Sequence, residues 1–241
     1  MNTYTFAHKN IAVDSLYPDV HAYCSGYLTD SPPDFTITTS QQDIDYERGH
    51  SESGTHSDGW LEVTAVYRKI AERMPLYDAF LIHGSVLSVD GCAYMFTAPS
   101  GTGKSTHARL WREYLAGCVL MINDDKPLVH IHDRTAEAFG TPYCGKEGLN
   151  TRTSAPLKAI CILERAEENH IHSITFREAY PDIFRQTYRP HNREALMRTL
   201  GLLDKLGGLV KVYRLGCNMS INAAELAYNT MKGEDQHEVT Q

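Results

Sequence analysis

The residues with the clearest chemical potential stand in YMFTAPSGTGKSTHARLW, residues 94–111. Within it, APSGTGKS (98–105) follows the pattern G-x-x-x-x-G-K-[ST], with Ala98 in the first place. Small residues let a backbone curl until several N–H groups point at one phosphate, and a following helix adds the positive end of its dipole. Ser100, Gly101, Thr102, Gly103, Lys104, Ser105 and Thr106 are therefore the expected nucleotide-binding residues. Lys104 would bring a point charge to the β- and γ-phosphates, and the Ser105 hydroxyl would be a hard oxygen ligand for Mg²⁺. Twenty positions after Lys104, the apolar run Val119 to Ile122 ends in Asn123-Asp124-Asp125. An acidic residue at the end of a buried strand near such a loop is a metal-binding carboxylate in phosphoryl-transfer proteins. With two in succession, one can hold Mg²⁺ while the other accepts a proton from an attacking hydroxyl; Ser105, Asp124 and Asp125 are the candidate metal ligands.

These residues need a strand before the loop, a helix after it and a strand beneath the acidic pair. Two apolar runs flank Val89-Asp90-Gly91, and Asp-Gly between such runs signals a hairpin. The strand feeding the loop is thus predicted to run antiparallel to the strand before it. STHARLWREYLA reads as the helix and CVLMI as the buried strand. LVHIH, LKAICILER and LVKVYRLG read as further strands. WLEVTAVYRKIAERM, closed by Pro75, reads as a helix, as do FREAYPDIFRQTY, NREALMRTLGLLDKLGG and NAAELAYNTMKG, the last with a capping-box start from Asn222 to Glu225. Residues 1–46 read as β-rich, 48–59 as a mobile polar loop carrying His50 and His56 as solvated side chains, and 234–241 as a frayed tail. The expected organisation is a β-rich segment over 1–58, a core over 59–233 and the tail. Twenty residues between the loop and the acidic pair leave room for one helix and one strand, which, with the hairpin entry to the loop, argues against a standard doubly wound NTPase core.

The 241-residue chain has 42% hydrophobic residues and a net charge of −7, so no global field draws it to nucleic acid or anionic membranes. It contains no apolar run of about 18 residues that would span a membrane, and MNTYTFAHKNIAVDS has neither the basic nor the apolar region of a signal peptide. The six cysteines form no C-x-x-C pair and read as reduced thiols of a cytoplasmic protein, with Cys92, Cys118 and Cys161 in the core.

The order His83-Gly84-Ser85, a Val-Asp-Gly turn, SGTGKST and then Asn123-Asp124-Asp125 resembles the core shared by HPr kinase/phosphorylase and ATP-dependent phosphoenolpyruvate carboxykinase. LNTRTSAPLKAI looks like the carboxykinase stretch whose arginine reaches the γ-phosphate. The resemblance spans roughly residues 80–163 and looks most like the smaller, stand-alone members. It implies an α/β fold with a mixed, largely antiparallel β-sheet P-loop core and flanking helices. It also implies ATP and Mg²⁺, with His83 near the transferred phosphate and Arg152 stabilising its charge. The chain has no room for a carboxykinase substrate domain, and Glu147 stands only in the neighbourhood of the HPr kinase metal-linked glutamate, as a surface-turn residue. The function expected is a Mg²⁺-dependent kinase that moves the γ-phosphoryl of ATP to a hydroxyl of a peptide, a protein or a free serine-like metabolite. Asp124 is the favoured base, and Lys104, His83 and Arg152 complete the expected catalytic set. A nucleotide sensor without transfer and a simple NTP hydrolase are the alternatives. Among the arginines of the two helices after the core, Arg189 is the candidate for phosphate or acceptor contact, and the sequence is compatible with a homo-oligomer.

Overall fold

The computed structural model describes residues 1–51 and 56–233. The expected frayed tail and residues 52–55 of the expected mobile loop lie outside the described residues. The chain opens with β1 (Asn2–Phe6), β2 (Lys9–Asp14), the short helix α1 (Asp19–Tyr23), β3 (Phe35–Thr38) and α2 (Gln41–His50). A three-stranded sheet, β1-β2-β3, results. The segment is therefore less β-rich than its sequence suggests. QQDIDYERGH has little apolar periodicity, but Asp43 accepts the Ser40 backbone N–H at 2.9 Å, which caps the start of α2 and carries it through Arg48 and His50. His50 stacks on Tyr46 at 4.1 Å.

Next come α3 (Asp58–Arg73), β4 (Ala79–Leu81), β5 (Ser85–Val89), β6 (Cys92–Thr97), α4 (Lys104–Tyr114) and β7 (Val119–Asn123). They are followed by β8 (Leu128–His132), β9 (Thr135–Phe139), β10 (Ser154–Arg165), β11 (His170–Ile174), α5 (Phe176–Gln186), α6 (Arg193–Gly207), β12 (Lys211–Cys217) and α7 (Ile221–Met231). Nine of these strands form one mixed sheet. Only β10 pairs in parallel within it, with β6 and with β12; its other ladders are antiparallel. The β5–β6 hairpin forms as expected, and its turn residues Asp90 and Gly91 are both left-handed, the conformation a two-residue hairpin turn needs. β9 and β11 are additions to the sequence reading. Their short, partly polar runs pair because β8, β10 and β12 offer them an edge.

Helices cover both faces of the large sheet. Ile183, Leu202, Leu203 and Leu206 of α5 and α6 pack with Met95, Ile160 and Ile162 on one side. On the other, Ala108, Trp111, Ala224 and Ala227 of α4 and α7 pack with Phe96, Cys161 and Leu215. Trp111 is fully buried, 5.3 Å from the Tyr94 ring, 5.0 Å from Phe96 and 5.5 Å from Tyr228. Aromatic contacts of this kind add about 0.5–1.5 kcal/mol each beyond their burial, and they lock α4 to the strand that precedes it. Two details depart from the sequence reading. Helix α7 starts after Ser220 with no side-chain cap, so the Asn222–Glu225 capping box does not form. All six cysteines are free thiols; Cys161 is buried as expected, while Cys92 is half-buried and Cys118, ahead of the edge strand β7, is exposed. Among the described residues, no helix is long and apolar enough to cross a membrane.

The small N-terminal sheet packs on α3 through Ile11, Val13, Phe35, Ile37, Val66 and Ile70. A buried carboxylate ties the two together. Glu62 on α3 has no exposed surface, and it accepts the Leu16 N–H at 2.6 Å, the Tyr17 N–H at 2.8 Å and the Thr39 hydroxyl. Replacing it by Ala would leave these donors without partners in the interior. Hydrogen bonds to a charged group contribute about 1.5–3 kcal/mol, so Glu62→Ala is expected to lower stability by about 3 kcal/mol in urea unfolding. A loss below about 1 kcal/mol would show that the N-terminal segment is held by its apolar contacts alone.

Candidate functional site

The loop that follows β6 turns sharply into α4. Gly101 and Gly103 have φ values of 77° and 120°, a region costly for any residue with a Cβ, and a Cβ at either would meet nothing within 4 Å. Glycine is needed there for the backbone turn, and the turn stands open. Gly103 caps α4, whose first residue is Lys104. The Lys104 ammonium is largely buried and donates to the Ala98 carbonyl at 3.0 Å, closing the loop on itself. Burial lowers its pKa, against the opposing pull of the Asp125 charge. Arg165, at the far end of β10, donates to the Gly101 carbonyl at 2.5 Å and braces the loop from outside.

The acidic pair is held by Asn123, which is fully buried. Its Oδ1 accepts the backbone N–H groups of Asp125 at 2.9 Å and Lys126 at 2.7 Å. Its Nδ2 donates to the Thr141 carbonyl at 2.9 Å. The chain therefore turns directly after β7, and the two carboxylates meet different surroundings. Asp124 is almost fully buried and accepts the Gly145 N–H at 2.6 Å. Burial pushes its carboxyl up, the Gly145 bond pulls it down, the negative charge of Asp125 adds to the rise, and the net direction is upward. For Asp125, burial also acts upward, but the hydrogen bond with His83 and the charge of Lys126 outweigh it and hold the carboxyl below its ordinary value. His83 Nε2 lies 2.9 Å from Asp125 Oδ1, and its Nδ1 lies 3.0 Å from Gln186 Oε1 at the end of α5.

A cavity of about 450 Å³ joins these groups. Its walls include His83, Ser100, Gly101, Gly103, Lys104, Ser105, Thr106, Asp124 and Asp125, with Gly145 and Lys146 on the opposing segment. Of the expected site residues, Thr102 and Arg152 are not on this wall. Thr102 faces a neighbouring hollow of about 540 Å³, with His107, Leu110, Arg165 and Met219. Arg152 is exposed and donates to the Leu28 carbonyl at 2.9 Å, so the structure does not bring it to the loop. The stretch carrying it leads into β10 through an isolated bridge between Asn123 and Asn150, which turns Arg152 toward the N-terminal segment. Arg189 lies 5.6 Å over the Phe184 ring, also off this wall, and Glu147 is exposed in its turn. A larger hollow, about 900 Å³, sits at the other end of β6 around Asp90, Cys92 and Tyr228, and it contains none of the motif residues.

Arg165, Gly145, Lys146 and Gln186 were not singled out by the sequence. Only Arg165 left a local signal, as a cation ending a buried apolar strand. The other three reach the site through long-range contacts.

The architecture is thus that of a mixed α/β protein with a glycine-turned loop facing a buried acidic pair. Residues 52–186, more than half of the chain, match the ScmC family, described as SynChlorMet cassette protein ScmC. The chain belongs to this family. No curated protein matches it. Among solved structures, it is similar to the Hpr(Ser) kinase/phosphatase from Coxiella burnetii at 10% identity and a TM-score of 0.36, over 64% of this chain and 99% of that one. A likeness of that size carries no argument about function.

His107, one turn into α4, is buried with neither ring nitrogen hydrogen-bonded, and burial lowers its pKa from 6.5 to about 4. The unfolded chain therefore binds a proton between about pH 6.5 and 4 that the folded protein refuses. Stability from this residue is complete above pH 6.5 and is lost as the pH falls toward 4. Between pH 6.5 and pH 5 the loss is about 2 kcal/mol. In urea unfolding, His107→Leu is expected to lose less stability than the parent over this interval, by about that amount. Equal losses in the two proteins would mean that the imidazole is hydrated in the folded state.

Proposed function

We propose that the protein is a Mg²⁺-dependent kinase that transfers the γ-phosphoryl of ATP to a hydroxyl. The observation that carries this reading is the single cavity whose wall holds the open glycine-turned loop, Lys104, Ser105 and two carboxylates with opposite pKa shifts. In this reading the loop is a P-loop: its N–H groups and the start of α4 bind the phosphates, and Lys104 exchanges the Ala98 carbonyl for a phosphate oxygen. The Ser105 hydroxyl and the Asp125 carboxylate are hard oxygen donors on one wall and suit Mg²⁺, which supplies charge neutralisation across the phosphates. Among the described residues, no three His, Cys, Asp or Glu side chains gather as a metal site. A Mg²⁺ ion shared with phosphates uses only one or two carboxylates, so this donor set is sufficient.

Two neighbouring carboxylates pushed in opposite directions take different roles. Asp125, kept ionised by His83 and Lys126, is the ligand side of the pair. Asp124, raised by burial, is the better proton acceptor and takes the hydroxyl proton as the new O–P bond forms and the bond to the departing ADP breaks. His83 and Gln186 orient Asp125, so His83 serves as a positioning residue. Lys146 lines the same cavity as Lys104 and would meet the transferring phosphoryl in the role first expected for Arg152.

γ-Labelled ATP and Mg²⁺, incubated with the protein in a lysate then split into macromolecular and small-molecule fractions, test the reading. Label is expected in one fraction with the parent protein and in neither with Lys104→Ala or Asp124→Asn. Lys104→Ala is expected to weaken nucleotide binding as well, whereas Asp124→Asn keeps it and drops transfer by at least 100-fold, the size of a lost general base. Label released only as inorganic phosphate would assign a hydrolase instead, and full turnover in either variant would sink the assignment.

A further inference from the structure

A second hollow, about 570 Å³, adjoins the phosphate cavity, and Asp125, Gly145 and Lys146 line both. Its outer wall comes from elsewhere in the chain: Tyr23 at the end of α1, Tyr27 in the turn that follows, Trp60 in the first turn of α3, and Asn150. The wall is built in advance. The Trp60 ring meets Tyr23 edge-on at 5.7 Å, and Tyr23 tilts against the buried Tyr143 at 5.5 Å. The Tyr27 phenol donates to Asn150 Oδ1 at 2.9 Å, and Asn150 Nδ2 donates to Cys144 Sγ at 3.1 Å. Burial raises the Tyr23 phenol to about 12 and the Tyr27 phenol further, so both are neutral at physiological pH. Trp60, by contrast, is 43% exposed, although the rest of its helix buries its large apolar side chains. The exposed indole thus stands in one hollow with two tyrosine rings and the Asp125 carboxylate, where a ligand can cover it.

The lining is asymmetric. The charged groups, Asp125 and Lys146, stand at the end shared with the phosphate cavity, and the remainder is aromatic rings, Pro142, glycines, Cys144 and one amide. A donor nucleotide on the loop side leaves this hollow as a second approach to Asp125. Its size lies within the roughly 300–1,000 Å³ of pockets that hold small ligands. A free amino acid would carry an ammonium and a carboxylate into a wall with no further charges to pair them, at a desolvation cost. A peptide carries neutral amides in their place, which Asn150 and the backbone around Gly145 and Gly148 can bond, and its neighbouring side chain can cover the rings.

We propose that this hollow is the acceptor site, and that it takes a peptide whose hydroxyl-bearing residue lies beside an aromatic or large aliphatic side chain. That side chain packs on Trp60, Tyr23 and Tyr27 while the hydroxyl reaches the acidic pair. There its oxygen forms the bond to the γ-phosphorus, its proton passes to Asp124, and ADP leaves. The inference rests on the kinase reading and adds the acceptor class. It also gives the N-terminal segment a task, since Tyr23 and Tyr27 precede the 52–186 stretch that matches the family while Trp60, Asp125 and Asn150 lie inside it.

The test is calorimetric titration, with Mg²⁺ and a non-hydrolysable ATP analogue present. The probes are acetyl-Ala-Phe-Ser-Phe-Ala-amide, acetyl-Ala-Ala-Ser-Ala-Ala-amide and free serine. The phenylalanine peptide is expected to bind at least ten-fold tighter than either of the others. Trp60→Ala is expected to remove that preference, and Trp60→Phe to restore most of it. Absence of binding by the phenylalanine peptide, equal binding of the two peptides, or a preference unchanged in Trp60→Ala would each overturn the acceptor site. Titration with MgATP alone reads the nucleotide site on the same samples, with Lys104→Ala as its control. MgATP affinity with no peptide preference would therefore reject the acceptor pocket only, whereas a parent protein without MgATP affinity would reject the kinase reading beneath it.

Discussion

The buried side chain of Asn123 is the constraint on which the candidate site depends. One amide must satisfy the backbone N–H groups of Asp125 and Lys126 on one side and the carbonyls of Thr141 and Tyr143 on the other. Because it has no access to water, each of these bonds would be costly to leave unmade. Asn123 thereby ends β7, sets the direction of the turn and fixes the 141–148 segment across from the glycine-rich loop. Gly145 then comes close enough to donate to Asp124, so close that a Cβ there would lie 2.9 Å from the carboxylate. The position of the two acids is thus a matter of backbone satisfaction before it is one of charge.

From that geometry follows the division between the carboxylates. Adjacent in sequence, they differ because Asp124 points back toward the Gly145 segment and Asp125 toward His83 and Lys126. Burial acts on both in the same direction, and the cationic and hydrogen-bonding neighbours of Asp125 decide that its net shift is opposite. The loop facing them is held by independent means: a hairpin strand on one side, the aromatic cluster around Trp111 on the other, and Arg165 at its crest. The opening between these two rigid pieces is a cavity and not a packed seam because glycines shape the loop and the facing Gly145 adds no side chain.

The N-terminal segment is more than an appendage to this arrangement. Glu62 binds its backbone from within α3, and the small sheet shares an apolar core with α3, β4 and Tyr143. Tyr23 and Tyr27 are carried by that segment to the hollow that Asp125 also lines.

What the sequence determined by itself was local. Asp90-Gly91 between apolar runs dictates a tight hairpin, small residues before Lys104 dictate an open turn into a helix, and an apolar run ending in Asn-Asp-Asp dictates a strand with acids at its end. Each depends on neighbours within a few residues, so each could be read without the fold. The helices after the core are legible for the same reason, through their apolar period. The strands β9 and β11 were not, since TAEAF and HIHSI become strands only when other strands supply partners, and α2 was missed because its cap, not an apolar stripe, defines it. Tertiary structure alone decided which cations approach the loop. Arg152 and Arg165 both belong to the chain around β10, but strand pairing carries Arg165 to the Gly101 carbonyl and turns Arg152 toward Leu28. It alone brought Gly145, Lys146 and Gln186 to the acidic pair, and three aromatic rings from distant segments to one hollow. Contacts between residues so far apart in the chain are set by how the sheet closes and where buried polar groups find partners, and no short stretch of sequence encodes that.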